Sequence, residues 1–159
     1  MKEIKLTKGL VAIVDDADYE WLSKWKWSTS GASQNKYATR CVSVNGKRSN
    51  IKMHKEILNV DPGMEVDHKD GNSLNNQRSN LRVATRSQNM MNRKMQTNNT
   101  SGHRGVFVNP KSTTRPWRAA IRFNGRLIWL RTHKTKEEAA KAYQEAAKRL
   151  FGEFYRETP

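Results

Sequence analysis

Residues Met64–Lys94 read MEVDHKDGNSLNNQRSNLRVATRSQNMMNRK, with asparagine at 72, 75, 76, 80, 89 and 92 around an Asp67–His68 pair. Asparagine suits neither helix nor strand interiors, but its amide serves turns, caps and fixed hydrogen bonds. A segment this rich in it is either a built site or a solvated loop. Met64, Val66 and His68 alternate with Glu65 and Asp67, the period of a short strand, which puts the acid and the imidazole side by side on opposite faces. Leu81 to Thr85 gives a second short strand. Thr85 and Gln88 have the capping-box spacing, so the pattern predicts a helix from Arg86 to about Met95 with Asn89 in its first turn. The local order is therefore strand, long polar loop, strand, helix.

The rest of the chain narrows the choice between site and loop. Thirty Lys and Arg against fifteen Asp and Glu give a formal charge of +15 over 159 residues. That is more than solubility requires and points to a polyanionic partner, with nucleic acid first. A membrane surface is set aside, because no apolar run approaches the roughly 20 residues of a spanning helix and no basic helix carries a bulky apolar face. The Lys-rich N-terminus meets acidic residues where a signal peptide would have its cleavage site, so an intracellular protein is expected. Cys41 is the only cysteine. This excludes a disulfide framework and a Cys-based structural zinc, leaving oxygen and imidazole donors for any metal.

The polar stretch from Met95 to Gly102, MQTNNTSG, reads as a linker. Residues 1–95 carry 17 basic and 10 acidic residues, and residues 96–159 carry 13 and 5. The shorter part is the more densely basic. Upstream, Leu10 to Val14 reads as a strand and leads into a helix that Asp15 or Asp16 could cap, with Tyr19, Leu22 and Trp25 in an apolar row. Residues 36–58 alternate on both sides of Asn45-Gly46, a strong hairpin signal, and run into a short helix near Met53 to Leu58. His54, at the start of that helix, reads as a packing or capping residue.

The Asp67–His68 pair, with Asn80 twelve residues after the histidine and Asn89 twenty-one after it, resembles the HNH nuclease motif in the His-Asn-Asn form of phage-type and intron-encoded homing endonucleases. The resemblance covers about residues 50–95, and the order of motifs extends it back to about residue 36. It implies a ββα-metal finger over about residues 64–95. It also implies hydrolysis of a DNA phosphodiester, with His68 as general base and Asn80 holding the loop backbone beside it. Asp67 and Asn89 would each give an oxygen to one divalent ion, Mg²⁺ or Mn²⁺, with waters and DNA phosphate completing the shell. The asparagines at 72, 75, 76 and 92 are assigned to turn and loop hydrogen bonding.

Between Gly102 and Lys134 there are eight Lys or Arg and no acidic residue, an electrostatic footprint for phosphates. Periodicity predicts strands at about His103 to Asn109, Trp117 to Phe123 and Arg126 to Thr132, the last two joined at Asn124-Gly125. Trp117, Ala119, Ile121 and Phe123 fall on one face of the middle strand, and Arg118, Ala120 and Arg122 on the other. In the third strand Ile128 and Leu130 suit the packed face, with Trp129 and Arg131 opposite. Thr135 and Glu138 open a helix that runs to about Leu150, and Gly152 can end it.

This order resembles the DNA-binding domain of plant ethylene-response (Apetala-two) transcription factors over residues 101–155. The resemblance implies that the three-stranded sheet enters the major groove, with Arg104, Arg122 and Trp129 as DNA contacts. Arg118, Arg126 and Arg131 join them by face and charge. Phe107 and Asn109 stand where the plant domains commonly carry arginine, and Ala120 replaces a usual acidic residue. The plant base preference is therefore not carried over.

The expectation is an α+β protein: a nuclease module at 1–95, a linker at 96–102, and at 103–159 a three-stranded antiparallel sheet packed on one helix. It would act on double-stranded DNA as a monomer, nicking one strand. A non-catalytic DNA-binding regulator is the main rival. An RNA-binding protein is a second, and Trp129 is its one clear base-stacking candidate.

Overall fold

The computed structural model describes residues 1–31, 35–92, 95 and 98–156, with the Val44 side chain left aside. Residues 93 and 94 of the expected helix and 96 and 97 of the expected linker lie outside the described residues, as do 157–159. The chain divides into two compact units, Met1–Arg86 and Ser87–Pro159.

The first unit opens with a ribbon of β1 (Lys2–Lys5) and β2 (Val11–Val14), antiparallel with Lys2 opposite Val14. Periodicity predicts β2 but not β1, whose four residues contain a single buried apolar side chain, Ile4. Helix α1 (Asp16–Leu22) follows, then β3 (Ser28–Ser30), β4 (Tyr37–Val44) and β5 (Lys47–Lys52), in the order β3-β4-β5. Asn45 and Gly46 both take positive φ, 51° and 75°, as a two-residue hairpin turn with the twist of its strands requires. Helix α2 (Met53–Leu58) ends at Asn59 in the left-handed conformation. Strands β6 (Glu65–His68) and β7 (Leu81–Ala84) pair antiparallel, with Asp67 opposite Arg82 and His68 opposite Leu81.

The core of this unit joins Ile4, Val14, Leu22, Trp27, Met53, Ile57, Val66 and Leu81. The expected apolar row fails at Trp25, which is half exposed, while Trp27 is fully buried. The cause is local: α1 stops at Leu22, so the helical spacing that would aim Trp25 inward does not extend to it. Trp27 instead donates its indole N–H to the Leu22 carbonyl at 2.8 Å, and Trp25 lies 4.2 Å from the Arg40 guanidinium.

Helix α3 (Arg86–Met91) begins at the junction of the units. In the second unit β8 (Val106–Val108), β9 (Trp117–Phe123) and β10 (Arg126–His133) form an antiparallel sheet in the order β10-β9-β8, with Asn124 and Gly125 at positive φ in the turn. Helix α4 (Lys136–Phe151) starts at Thr135, whose hydroxyl accepts from the Glu138 N–H at 3.1 Å, while Glu138 reaches back to the Lys134 N–H. Its Ala139 and Ala140 pack against Val106 and Ala119 of the sheet. Small side chains there allow a close approach. Gly105, at φ +69°, has the same purpose: a Cβ would stand 2.3 Å from the Tyr143 ring and 2.6 Å from the Ala120 carbonyl oxygen.

Two face assignments change. Ala120, expected on the cationic face, is buried; it lies on the central strand of the sheet, and its N–H donates to the Gly105 carbonyl at 2.9 Å. Ile128, expected on the packed face, is exposed: it lies on the outer strand, where Leu130 alone of β10 joins the cluster under α4. The β9–β10 register then shifts between Trp129 and Thr132, with Arg131 at φ 70°. A bulge breaks the two-residue alternation on which the face assignment rested.

Candidate active site

Strand β6 ends at His68, and the chain returns to β7 through residues 69–80. The centre of this loop is a carboxylate. Asp70 accepts from the Asn72 N–H at 2.7 Å and from the side-chain amides of Asn75 and Asn80 at 2.8 and 3.0 Å. Asn80 closes the ring: its Oδ1 accepts from the Asp70 N–H at 3.1 Å, and its Nδ2 also donates to the Asn75 carbonyl at 2.8 Å. Its own carbonyl accepts from Lys69 at 3.0 Å, and the His68 carbonyl accepts from Gly71 at 2.8 Å. Asn80 thus binds the two residues that follow His68. Burial works to raise the Asp70 pKa, but the bonds from Asn72, Asn75 and Asn80 outweigh it and hold the carboxyl below its usual range.

Sequence reasoning missed Asp70. An Asp two residues from a following Asn is a common turn pattern, and nothing in spacing alone shows that three asparagines converge on it.

The loop is also tied to the N-terminal ribbon. Ile13 pairs with Asn75 in a parallel bridge, donating to the Leu74 carbonyl at 2.9 Å and accepting from Asn76 at 2.7 Å. Asp15 does not cap α1 with its side chain, as its position before the helix suggested; its carboxylate accepts from Gln77 Nε2 at 3.2 Å and from the Arg78 N–H at 2.8 Å. Asp18, buried, takes both Nε and Nη2 of Arg78 at 2.8 Å, and the Trp21 indole at 3.2 Å. The first eighteen residues therefore hold the far side of the loop.

The hydrogen-bonded Arg78 guanidinium outweighs burial and lowers the Asp18 pKa. A depressed folded pKa means stabilisation that is present above the unfolded value near 3.9 and is lost as pH falls through the lower folded value. Asp18→Asn is expected to cost about 1–3 kcal/mol at pH 7. Its deficit should shrink on acidification below the ordinary carboxylate range, as measured by urea unfolding across pH. A constant deficit would contradict the role of the ion pair.

His68 is 6% exposed. Burial lowers its pKa, and Asn76, Asp70 and Asp67 work in the opposite direction without reversing the shift. The imidazole is therefore neutral at cellular pH, the form that can take up a proton. Asp67, on the preceding residue, is also buried and receives Arg82 Nε at 2.7 Å and Nη2 at 2.6 Å from directly across the hairpin. Sequence reasoning also missed Arg82, since only the observed register puts 82 opposite 67. Asn89 lies on α3 in the second unit and is half-buried. Among the described residues no three of His, Cys, Asp and Glu gather as a metal cluster. The Asp67 carboxylate is a hard oxygen donor, of the kind that suits an ion that keeps most of its waters.

In the second unit Trp129 is 58% exposed, and the Arg118 guanidinium lies 5.7 Å from its ring. Arg126 and Arg131 are exposed, and Arg122 is exposed with Nη1 donating to the Gly125 carbonyl. Arg104 also has a structural role, donating to the Met91 and Met90 carbonyls at 2.8 and 3.0 Å and so satisfying the C-terminal end of α3. Asn109 is buried, whereas Phe107 is half exposed. No helix among the described residues is long and apolar enough to cross a membrane.

A family model described as HNH endonuclease matches residues 59–91, which contain Asp67, His68, Asn80 and Asn89. An uncharacterized HNH endonuclease of Acanthamoeba polyphaga mimivirus is 31% identical over 153 residues, covering 92% of this chain and 74% of that protein. "Protein 3.8" of Escherichia phage T7 is 32% identical over 97 residues, 61% of this chain and 78% of that protein. No solved structure matches. With the motif residues inside the matched segment and the mimivirus likeness running along nearly the whole chain, the protein belongs to the HNH endonuclease family.

Proposed function

We propose that the protein is a site-selective, metal-dependent DNA endonuclease of the homing type that nicks one strand of a duplex as a monomer. The observation that carries this reading is the buried His68 ring at the end of β6, beside a loop that Asn80 and Asp70 lock from the next residues onward. His68 takes a proton from the water that attacks phosphorus. The P–O3′ bond breaks, leaving a 5′-phosphate and a 3′-hydroxyl whose proton comes from solvent. Asn80 keeps the imidazole's loop in place, and Arg82 fixes the Asp67 carboxylate. Asp67 and Asn89 are the residues that would hold one Mg²⁺ or Mn²⁺. When bound, that ion supplies charge stabilisation at the phosphoryl and leaving oxygens.

The second unit serves as the DNA-positioning module, in keeping with its likeness to the ethylene-response-factor domain. Arg118, Arg122, Arg126, Arg131 and Trp129 contact the duplex from the sheet, and Arg104 contacts it from the turn before β8. Each phosphate contact contributes about 0.9 to the slope of log affinity against log salt. Joint replacement of Arg118 and Arg126 by Ala is expected to flatten that slope by up to about twice this amount. Fluorescence anisotropy on a labelled duplex measures it, and an unchanged slope would remove those residues from the interface.

The Asp67–Arg82 ion pair favours a second reading, in which the carboxylate is already satisfied and the finger is the scaffold of a DNA-binding regulator. Product chemistry separates the two. A nick with 5′-phosphate and 3′-hydroxyl ends is resealed by DNA ligase; the regulator yields no nick to reseal.

A further inference from the structure

Three aromatic side chains from separate elements meet at the end of β6. The His54 ring, from the start of α2, stands at 87° to the His68 ring with centroids 5.0 Å apart. Tyr37, from β4, packs edge-on against His54 at 5.3 Å and lies tilted to His68 at 6.2 Å. His54 is 3% exposed, and its Nδ1 has no hydrogen-bond partner among the described residues. Burial, with lesser contributions from His68 whenever that ring is protonated and from Lys52 and Lys55, lowers its pKa to about 3. The ring is neutral at cellular pH.

We propose that His54 is a positioning residue for His68: its ring, backed by Tyr37, fixes the plane of the His68 imidazole by edge-to-face contact. Two physical points support this. A perpendicular aromatic contact orients a ring without using its nitrogens as hydrogen-bonding partners. A neutral neighbour also does not oppose the positive charge that His68 acquires when it takes a proton, as a cation would. The unpartnered buried Nδ1 is the kind of feature that persists where a site depends on the group.

This inference rests on the nuclease reading, and its test separates the two. The full-length protein is compared with His54→Phe, His54→Leu and His54→Gln in single-turnover cleavage, in DNA affinity, and in the NMR resonances of the His68 ring. The expected result is that His54→Leu and His54→Gln lose up to about a hundredfold in cleavage rate with unchanged DNA affinity, because the base is misplaced. His54→Phe retains most of the rate. The His68 ring resonances move in the Leu and Gln proteins and stay close to wild type in the Phe protein. Full activity in all three, or rescue by Gln and not by Phe, would overturn the proposal, the second result by assigning the role to a hydrogen bond. If wild type cuts no DNA, the nuclease reading fails, and the NMR comparison still decides whether His54 sets the His68 ring.

Discussion

His68→Ala is expected to lower the cleavage rate by about 10²–10⁴-fold, the usual contribution of a positioned general base, while DNA affinity changes little. The affinity is expected to survive because the basic residues assigned to DNA lie on the sheet of the second unit and in the turn before it. Single-turnover cleavage and anisotropy on the same duplex give the two quantities. A loss of affinity that matches the loss of rate would show that His68 serves binding or folding instead. The pH dependence follows from the lowered His68 pKa, whose main cause is burial. With its pKa below the ordinary imidazole value, the ring is neutral at pH 7, so the rate should not require alkaline conditions to deprotonate it.

Asn80→Ala is the second large effect. The substitution removes two amide donations and one accepted bond, leaving the Asp70 N–H and the Asn75 carbonyl in search of partners. A destabilisation of about 1–3 kcal/mol is expected from these groups. Because the loop begins at the residue after His68, cleavage should fall further than stability accounts for, by up to about a hundredfold. Asn80→Asp keeps an acceptor for the Asp70 N–H but sets a second carboxylate against Asp70, so it should be no better than Ala. Urea unfolding and cleavage under conditions where both proteins are fully folded separate the two effects. Wild-type cleavage in Asn80→Ala would remove the residue from the site.

Legibility in the sequence followed the range of the interactions concerned. Strands β6 and β7, the start of α3 and the hairpin at Asn45-Gly46 were readable because alternation, capping spacing and turn chemistry are local. So was α4, where Thr135, Glu138 and Gly152 mark both ends. The contacts around Asp70 were not readable, since Asn72, Asn75 and Asn80 converge on it only when the loop closes. The Asp18–Arg78 pair and the Ile13–Asn75 bridge link positions about sixty residues apart. No pattern within a helix or a strand encodes such partners.

The misreadings at Trp25 and Ile128 have separate origins. In one case the helical period was extended past the end of α1; in the other the alternation holds at Ile128, which pairs in register with Ile121, but the strand is the outer one of the sheet and leaves that side chain exposed. At the site, the ion pair of Asp67 with Arg82 and the ring contacts of His68 depend on register and on elements far apart in the chain. His54 was read as a packing residue. It does pack, and what it packs against is the ring assigned as base.

The nuclease assignment stands or falls on the conversion of supercoiled plasmid carrying host or phage DNA, with Mg²⁺, with Mn²⁺ and with chelator, beside the His68→Ala protein. Wild type should form open circles only when metal is present, none with chelator, and the variant should form almost none. Plasmid left supercoiled under every metal, with DNA still bound, would contradict the assignment and leave the finger as the scaffold of a DNA-binding protein.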